Sequence, residues 1–208
     1  MLTPTLVIGS KRFSTWSLRP WLILKMAGVA FSEVLIPLRQ PDTKASILQH
    51  SPSGKVPLLK DGDVHIWDSL AIAEYLAEQL PGLWPAGADA RAMARAITAE
   101  MHSGFPLLRQ TMPMSLADDR LPTPEISPEL QAEINRILTL WQDARRRFGQ
   151  NGPFLFGTWS IADAFFAPVV TRFNTYGVDV PEDAAAYIRI ILSLPAMQDW
   201  ISAAKAEQ

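Results

Sequence analysis

The apolar residues of this chain change their period once, and the change coincides with the breaker cluster Pro81-Gly82-Leu83-Trp84-Pro85. Ahead of it, short alternating runs are interleaved with helix-spaced stretches; from Ala88 onward the spacing is helical throughout, punctuated by Pro and Gly. A strand repeats its face at alternate residues and a helix every 3.6 or about that, so no segment presents one buried face in both. The pattern therefore predicts an α/β unit over residues 1–80, a linker over 81–87 and an all-helical unit over 88–208. Neither half contains an internal repeat or a low-complexity tract.

Within the first unit, Leu6-Val7-Ile8 before Gly9-Ser10 reads as a short buried strand. Pro20 has no N–H and clashes with a preceding turn, which places it in the first turn of the next helix. On that argument Ser17 is the N-cap, the helix covers residues 18–27 and Gly28 stops it. A strand over 31–38 follows, then a helix from near Asp42 to about His50 and a turn at Ser51-Pro52-Ser53-Gly54. Val56-Pro57-Leu58-Leu59 and Val64-His65-Ile66-Trp67, joined by Asp61-Gly62-Asp63, read as a hairpin. Asp68-Ser69 then caps an amphipathic helix reaching about Leu80, which gives the order βαβαββα. In the second unit the longest loop is expected over 118–127, and Ser160-Ile161-Ala162-Asp163 resembles a capping box with Asp in the Glu place. Arg145-Arg146-Arg147 suits the solvated C-terminal end of a helix.

Composition excludes several classes of function. The 208 residues are 48% hydrophobic, enough for real cores, and 19 Lys plus Arg against 21 Asp plus Glu leave no basic excess for nucleic acid. The apolar runs fall far short of the roughly 20 residues that cross a bilayer, and the N-terminus lacks a signal-peptide pattern, so a cytoplasmic protein without membrane partners is expected. With no cysteine, any thiol chemistry must use a thiol carried by a ligand. His50, His65 and His102 have no metal-ligand spacing, so no metal is expected.

Three segments of the first unit, in order, carry a resemblance: Ser14-Thr15-Trp16-Ser17-Leu18-Arg19, the stretch Ser51-Pro52-Ser53-Gly54-Lys55-Val56-Pro57-Leu58-Leu59, and Asp68-Ser69-Leu70-Ala71-Ile72-Ala73-Glu74-Tyr75-Leu76. A fourth lies in the second unit at Gly157-Thr158-Trp159-Ser160-Ile161-Ala162-Asp163. Together they resemble the cytosolic glutathione transferase superfamily, and the serine loop is most similar to its zeta and theta-like groups. The resemblance implies a thioredoxin-like first domain, a helical second domain, glutathione as co-substrate and a homodimer.

Residue by residue, it implies that Ser14, five positions ahead of Arg19, donates a hydrogen bond to the thiolate of glutathione, with Thr15 and Ser17 as rivals for the role. Val56 and Pro57 resemble the family's cis-proline step, which pairs with the cysteinyl part. Asp68 and Ser69 would hold the γ-glutamyl end at a helix start. Lys44, in slight preference to Lys55, would reach the glycyl carboxylate. Asp163 resembles a structural helix-start residue. Phe165, Phe166, Trp141 and Trp200 read as core. For the electrophile pocket the candidates are His102, Phe105 and Arg109 on one helix face, with Arg172 and Tyr176 from another; arginines there suit an acidic electrophile, or else bridge helices. Gly104, Pro106 and Pro113 are expected to bend the first of these helices. The implied function is conjugation of glutathione to a small electrophile. The alternatives are a glutathione-dependent cis-trans isomerase of the maleylacetoacetate type, whose Ser-Ser-Cys loop differs from this one, and an interaction protein that kept the fold without the chemistry.

Overall fold

The computed structural model describes residues 3–117 and 120–207. Its first half runs β1 (Thr5–Gly9), α1 (Thr15–Met26), β2 (Ser32–Ile36), α2 (Thr43–Leu48), β3 (Leu58–Asp61), β4 (Val64–Ile66) and α3 (Ser69–Gln79), the βαβαββα order read from the sequence. The sheet order is β2-β1-β3-β4, with β1 parallel to β2 and antiparallel to β3. Alternation along β1 decides what covers each face. Leu6 and Ile8 join the large core with Leu59, α1 and α3, while Val7 points the other way, to Ile36, Leu58 and Ile47 of α2.

The second half is α4 (Ala88–Ser103), α5 (Pro106–Thr111), α6 (Pro128–Phe148), α7 (Ile161–Tyr176), α8 (Glu182–Ser193) and α9 (Pro195–Ala206). Helix α7 is apolar around nearly its whole circumference, and a helix of that kind must be surrounded. It packs against α1, α4 and α8, so one core runs through both halves. The capping box at its start is present: Asp163 Oδ2 accepts from the Ser160 N–H at 2.9 Å and from its hydroxyl at 3.1 Å. Oδ1 accepts from the Leu155 N–H at 3.1 Å and the Tyr187 hydroxyl at 3.0 Å. Asp163 is fully buried, and that burial lifts its carboxyl from 3.8 to about 6, against the pull of the four donors.

Two expectations are corrected. Helix α1 starts at Thr15 and its N-cap is Ser14, not Ser17; Pro20 lies inside the helix. Proline's missing N–H costs one intrahelical bond, and burial of Leu18, Trp21, Leu22, Ile23 and Leu24 holds the helix across it. The face expected to carry His102, Phe105 and Arg109 is not continuous. Phe105 adopts the left-handed conformation (φ 61°) between α4 and α5, because Pro106 opens a new helix and disfavours the helical region in the residue before it. Of the loop expected over 118–127, Asp118 and Asp119 lie outside the described residues; residues 120–127 carry no helix or strand and are tied to the end of α7 by Leu121 N–H to Thr175 O at 2.9 Å. Among the described residues no helix is long and apolar enough to cross a membrane.

Candidate functional site

A cavity of about 670 Å³ opens where the start of β3, the start of α3 and helices α1 and α4 meet, lined in part by Trp16, Lys55, Val56, Pro57, Trp67, Asp68, Ser69 and His102. The Val56–Pro57 peptide is cis, as the resemblance implied. Asp68 is the N-cap of α3: its Oδ1 accepts from the N–H groups of Leu70 at 3.0 Å and Ala71 at 3.3 Å. Two amides of this helix start are thus occupied by the cap itself, and an anion there is left with the hydroxyl and N–H of Ser69.

The other oxygen of Asp68 reaches across the two halves of the chain. Oδ2 lies 3.0 Å from His102 Nε2, and His102 Nδ1 lies 3.5 Å from Arg19 Nη1. Arginine has only donors, so Nδ1 faces it as the acceptor and the proton sits on Nε2, directed at Asp68. Burial pushes the His102 imidazole below 6.5; Asp68 opposes the shift, and the Arg19 and Arg109 guanidiniums add to it. The ring is therefore neutral near pH 7.

Arg19 stands directly behind the cavity wall. It is completely buried, and its guanidinium lies 4.3 Å from the Trp16 ring centroid and 4.6 Å from that of Phe165 in α7. Nη1 donates to Ser69 Oγ at 3.5 Å, while Nε and Nη2 have no hydrogen-bond partner among the described residues. Burial and the guanidiniums of Arg109 and Arg172 push it well below the usual arginine range, with Asp68 opposing. The two ring faces are what a desolvated cation can use in place of a carboxylate.

Ser14 sits at the N-terminus of α1 with only 4% of its surface exposed. Its hydroxyl donates to Ser17 Oγ at 2.7 Å and accepts from the Ser17 N–H at 3.3 Å; Ser17 Oγ also accepts from the Gly9 N–H at 3.1 Å. Thr15, the first helical residue, is buried as well.

Of the residues singled out from the sequence, Val56, Pro57, Asp68, Ser69 and His102 come together at the cavity. Ser14 lies two residues ahead of Trp16, and Lys44 is exposed on α2 while Lys55 lines the cavity. Arg109 donates to the carbonyls of Gly104 (2.9 Å) and Met101, closing the C-terminus of α4, and its guanidinium lies 5.0 Å from the Trp16 ring. Arg172, which burial pushes to about 9, donates to Met112 O at 2.8 Å and Pro168 O at 3.2 Å. Tyr176 donates to Pro113 O at 3.0 Å, and Phe105 is buried at the helix break. The arginines bridge helices. Trp16 and Trp67, neither given a role from sequence, are the large aromatic walls, and Trp67 is 48% exposed at the mouth. A tryptophan inside the serine motif and another just before Asp68 were the available signal. Among the described residues no cluster of three or more metal-ligating side chains occurs.

Comparison with known proteins gives matches to two family models: "Glutathione S-transferase, N-terminal domain" over residues 13–79 and "Glutathione S-transferase, C-terminal domain" over residues 124–203. A curated relative, glutathione S-transferase 4 of Zea mays, is 34% identical over 79 residues, which is 36% of this chain and 34% of that protein, so the match spans about a third of the relative. Among solved structures, a glutathione transferase homolog from Burkholderia with bound glutathione is similar at 25% identity and a TM-score of 0.73, over 99% of this chain and 100% of that one. The Tau class glutathione S-transferase of mango, Mangifera indica, shares the fold at 20% identity and a TM-score of 0.72, over 96% and 92% of the two chains.

Proposed function

Since this chain belongs to the cytosolic glutathione transferase superfamily, we propose that it binds glutathione in the cavity between its two halves and transfers the thiolate to a small electrophile. The observation that carries the reading is the joint presence, around one cavity, of the cis Val56–Pro57 step, the Asp68-Ser69 helix start and the Trp16 side of the serine loop. In the proposed complex Val56 pairs by its backbone with the cysteinyl part of glutathione and Ser69 holds the γ-glutamyl carboxylate. Lys55 reaches the glycyl carboxylate more readily than Lys44, since it already lines the cavity.

Ser14 activates the sulfur by donating a hydrogen bond to it. The present donor geometry has to reverse for this. Ser17 Oγ, fixed by the Gly9 N–H, turns its own proton onto Ser14 Oγ, and the Ser14 proton is released toward the sulfur. The thiol proton leaves to solvent, the thiolate forms the new carbon–sulfur bond and the electrophile's leaving group departs. Arg19, Arg109 and the α1 N-terminus place positive charge behind the sulfur and favour the anion over the thiol.

The electrophile meets indole and imidazole surface rather than a free guanidinium, which favours an apolar substrate over an acidic one. Arg172, which could have anchored a carboxylate substrate of the isomerase alternative, bonds Met112 O and Pro168 O instead, which supports conjugation. A homodimer is part of the same proposal. The test is calorimetry with glutathione, followed by thiolate absorbance of the complex and turnover of a general electrophile for wild type and Ser14→Ala. A charge-assisted hydrogen bond of about 1.5–3 kcal/mol predicts a rise of roughly one to two units in the bound thiol's pKa. No binding at millimolar glutathione defeats the proposal, and an unmoved thiol pKa removes Ser14 from it.

A further inference from the structure

The turn that leads from β1 into α1 is fastened from the far end of the chain. The Lys11 N–H donates to Glu207 Oε1 at 2.6 Å and the Arg12 N–H to Glu207 Oε2 at 3.1 Å. The Lys11 carbonyl accepts from the Trp200 indole N–H at 3.0 Å, and the Arg12 carbonyl from the Leu116 N–H at 3.2 Å. Every backbone polar group of these two residues thus has its partner in the helical half, on α9, at its C-cap or in the segment after α5. Trp200 also packs edge-on against Trp21 of α1, at a centroid separation of 5.0 Å.

The turn is short and stiff. Phe13 N–H and Ser14 N–H both donate to the Ser10 carbonyl, at 3.1 and 2.9 Å, so a displacement of Lys11 and Arg12 is passed to Ser14. A carboxylate spanning two successive amides is a charge-assisted pair in a nest of N–H groups, stronger and more directional than the neutral bonds beside it. Glu207 lies one residue beyond α9, whose docking rests on buried Met197, Trp200 and Ala204. Its carboxylate adds nothing to that core. What it holds is the turn.

We propose that Glu207 is a positioning residue of the serine site: its carboxylate sets the Lys11-Arg12 turn so that the Ser14 hydroxyl stands where the glutathione sulfur accepts its hydrogen bond. The inference rests on the role of Ser14 given above. It has a distinctive sign. If Glu207 acted on the sulfur only through its charge, removing it would stabilise the thiolate and lower the thiol's pKa. If it acts by placing Ser14, removing it raises the pKa.

The experiment compares wild type, Ser14→Ala, Glu207→Ala, Glu207→Gln and the Ser14→Ala/Glu207→Ala double variant, each saturated with glutathione, by thiolate absorbance against pH, glutathione affinity and thermal unfolding. Glu207→Ala is expected to raise the bound thiol's pKa by about one unit, a tenfold loss of thiolate well below that pKa, with affinity within about twofold of wild type. Glu207→Gln should fall with Glu207→Ala, because its NH2 faces one of the two amides; it serves if Glu207→Ala fails to fold. In the double variant the pKa should match that of Ser14→Ala. A pKa that is unchanged or lowered in both Glu207 variants overturns the inference, as does a full further shift in the double variant. If Ser14→Ala moves the pKa and the Glu207 variants do not, this inference alone falls; if Ser14→Ala does not move it, the serine reading fails and this one with it.

Discussion

Asp163→Asn exposes how the helical half is held, because it keeps the shape of the side chain and removes its charge. In the native protein the carboxylate receives two donors on each oxygen, and one of each pair is a backbone N–H, from Ser160 or Leu155. The hydroxyls of Ser160 and Tyr187 can turn round to accept; the backbone groups cannot. Whichever way the asparagine amide is oriented, its NH2 faces one buried N–H, a loss of about 1–3 kcal/mol. Against this, burial raises the Asp163 carboxyl from 3.8 to about 6, so the ionised form is held at a cost of about 3 kcal/mol above pH 6. The folded pKa lies above the unfolded value, so the stability this group contributes is fully present below pH 3.8 and lost as pH rises through about 6. The asparagine variant has no such term. The advantage of wild type over Asp163→Asn should therefore be about 2 kcal/mol larger at pH 4.5 than at pH 7.5, other groups cancelling in the difference. Urea unfolding of both proteins across that range measures it. A difference independent of pH, or one that grows toward pH 7.5, would mean that the four donors outweigh burial and that the reasoning is wrong.

Ser69→Ala should weaken glutathione binding at least about tenfold by calorimetry, a loss of about 1.4 kcal/mol or more, since Asp68 already occupies the neighbouring amides; unchanged affinity would place the γ-glutamyl end elsewhere. His102 should titrate below 6.5 by NMR, and Asp68→Asn should lower it further by removing the carboxylate that opposes burial; a rise would show that the contact at Nε2 is not formed. Light scattering should return twice the mass of one chain, and a single-chain mass over a wide concentration range would count against the dimer.

The first half was legible because its elements obey local rules. A short apolar run ending at Gly9-Ser10 found β1, the turn residues found the β3–β4 hairpin, and the Asp68 cap and the Ser160 capping box were readable as short-range patterns. The start of α1 was not, because the proline rule is local and the force that overrides it is tertiary: α1 is wrapped by α3, α7 and α9. Spacing gave His102, Phe105 and Arg109 a common face that the left-handed Phe105 breaks. The destinations of Arg109 and Arg172 were hidden for a related reason. Arg109 ends on carbonyls at the end of α4 and Arg172 reaches the carbonyl of the α5 C-cap, Met112, and where a helix terminates in space relative to another cannot be read from either alone.

The least legible contacts are those that make one site of two halves. Arg19 lies in the first half, yet one of the rings that shelter it is Phe165 of α7, and its acceptor-side neighbour is His102 of α4. Asp68 caps a helix of the first half and meets the same histidine. Two of the Arg19 guanidinium nitrogens have no hydrogen-bond partner among the described residues, so in the folded protein the cation has little beyond the ring faces, and separating the halves would expose it to water, which solvates it well. The cation thus opposes the docking that Trp21, Trp200 and the apolar face of α7 drive. In the proposed complex its place beside Ser69 and Trp16 puts positive charge where the thiolate would lie, and burial elsewhere along α1 offsets its cost.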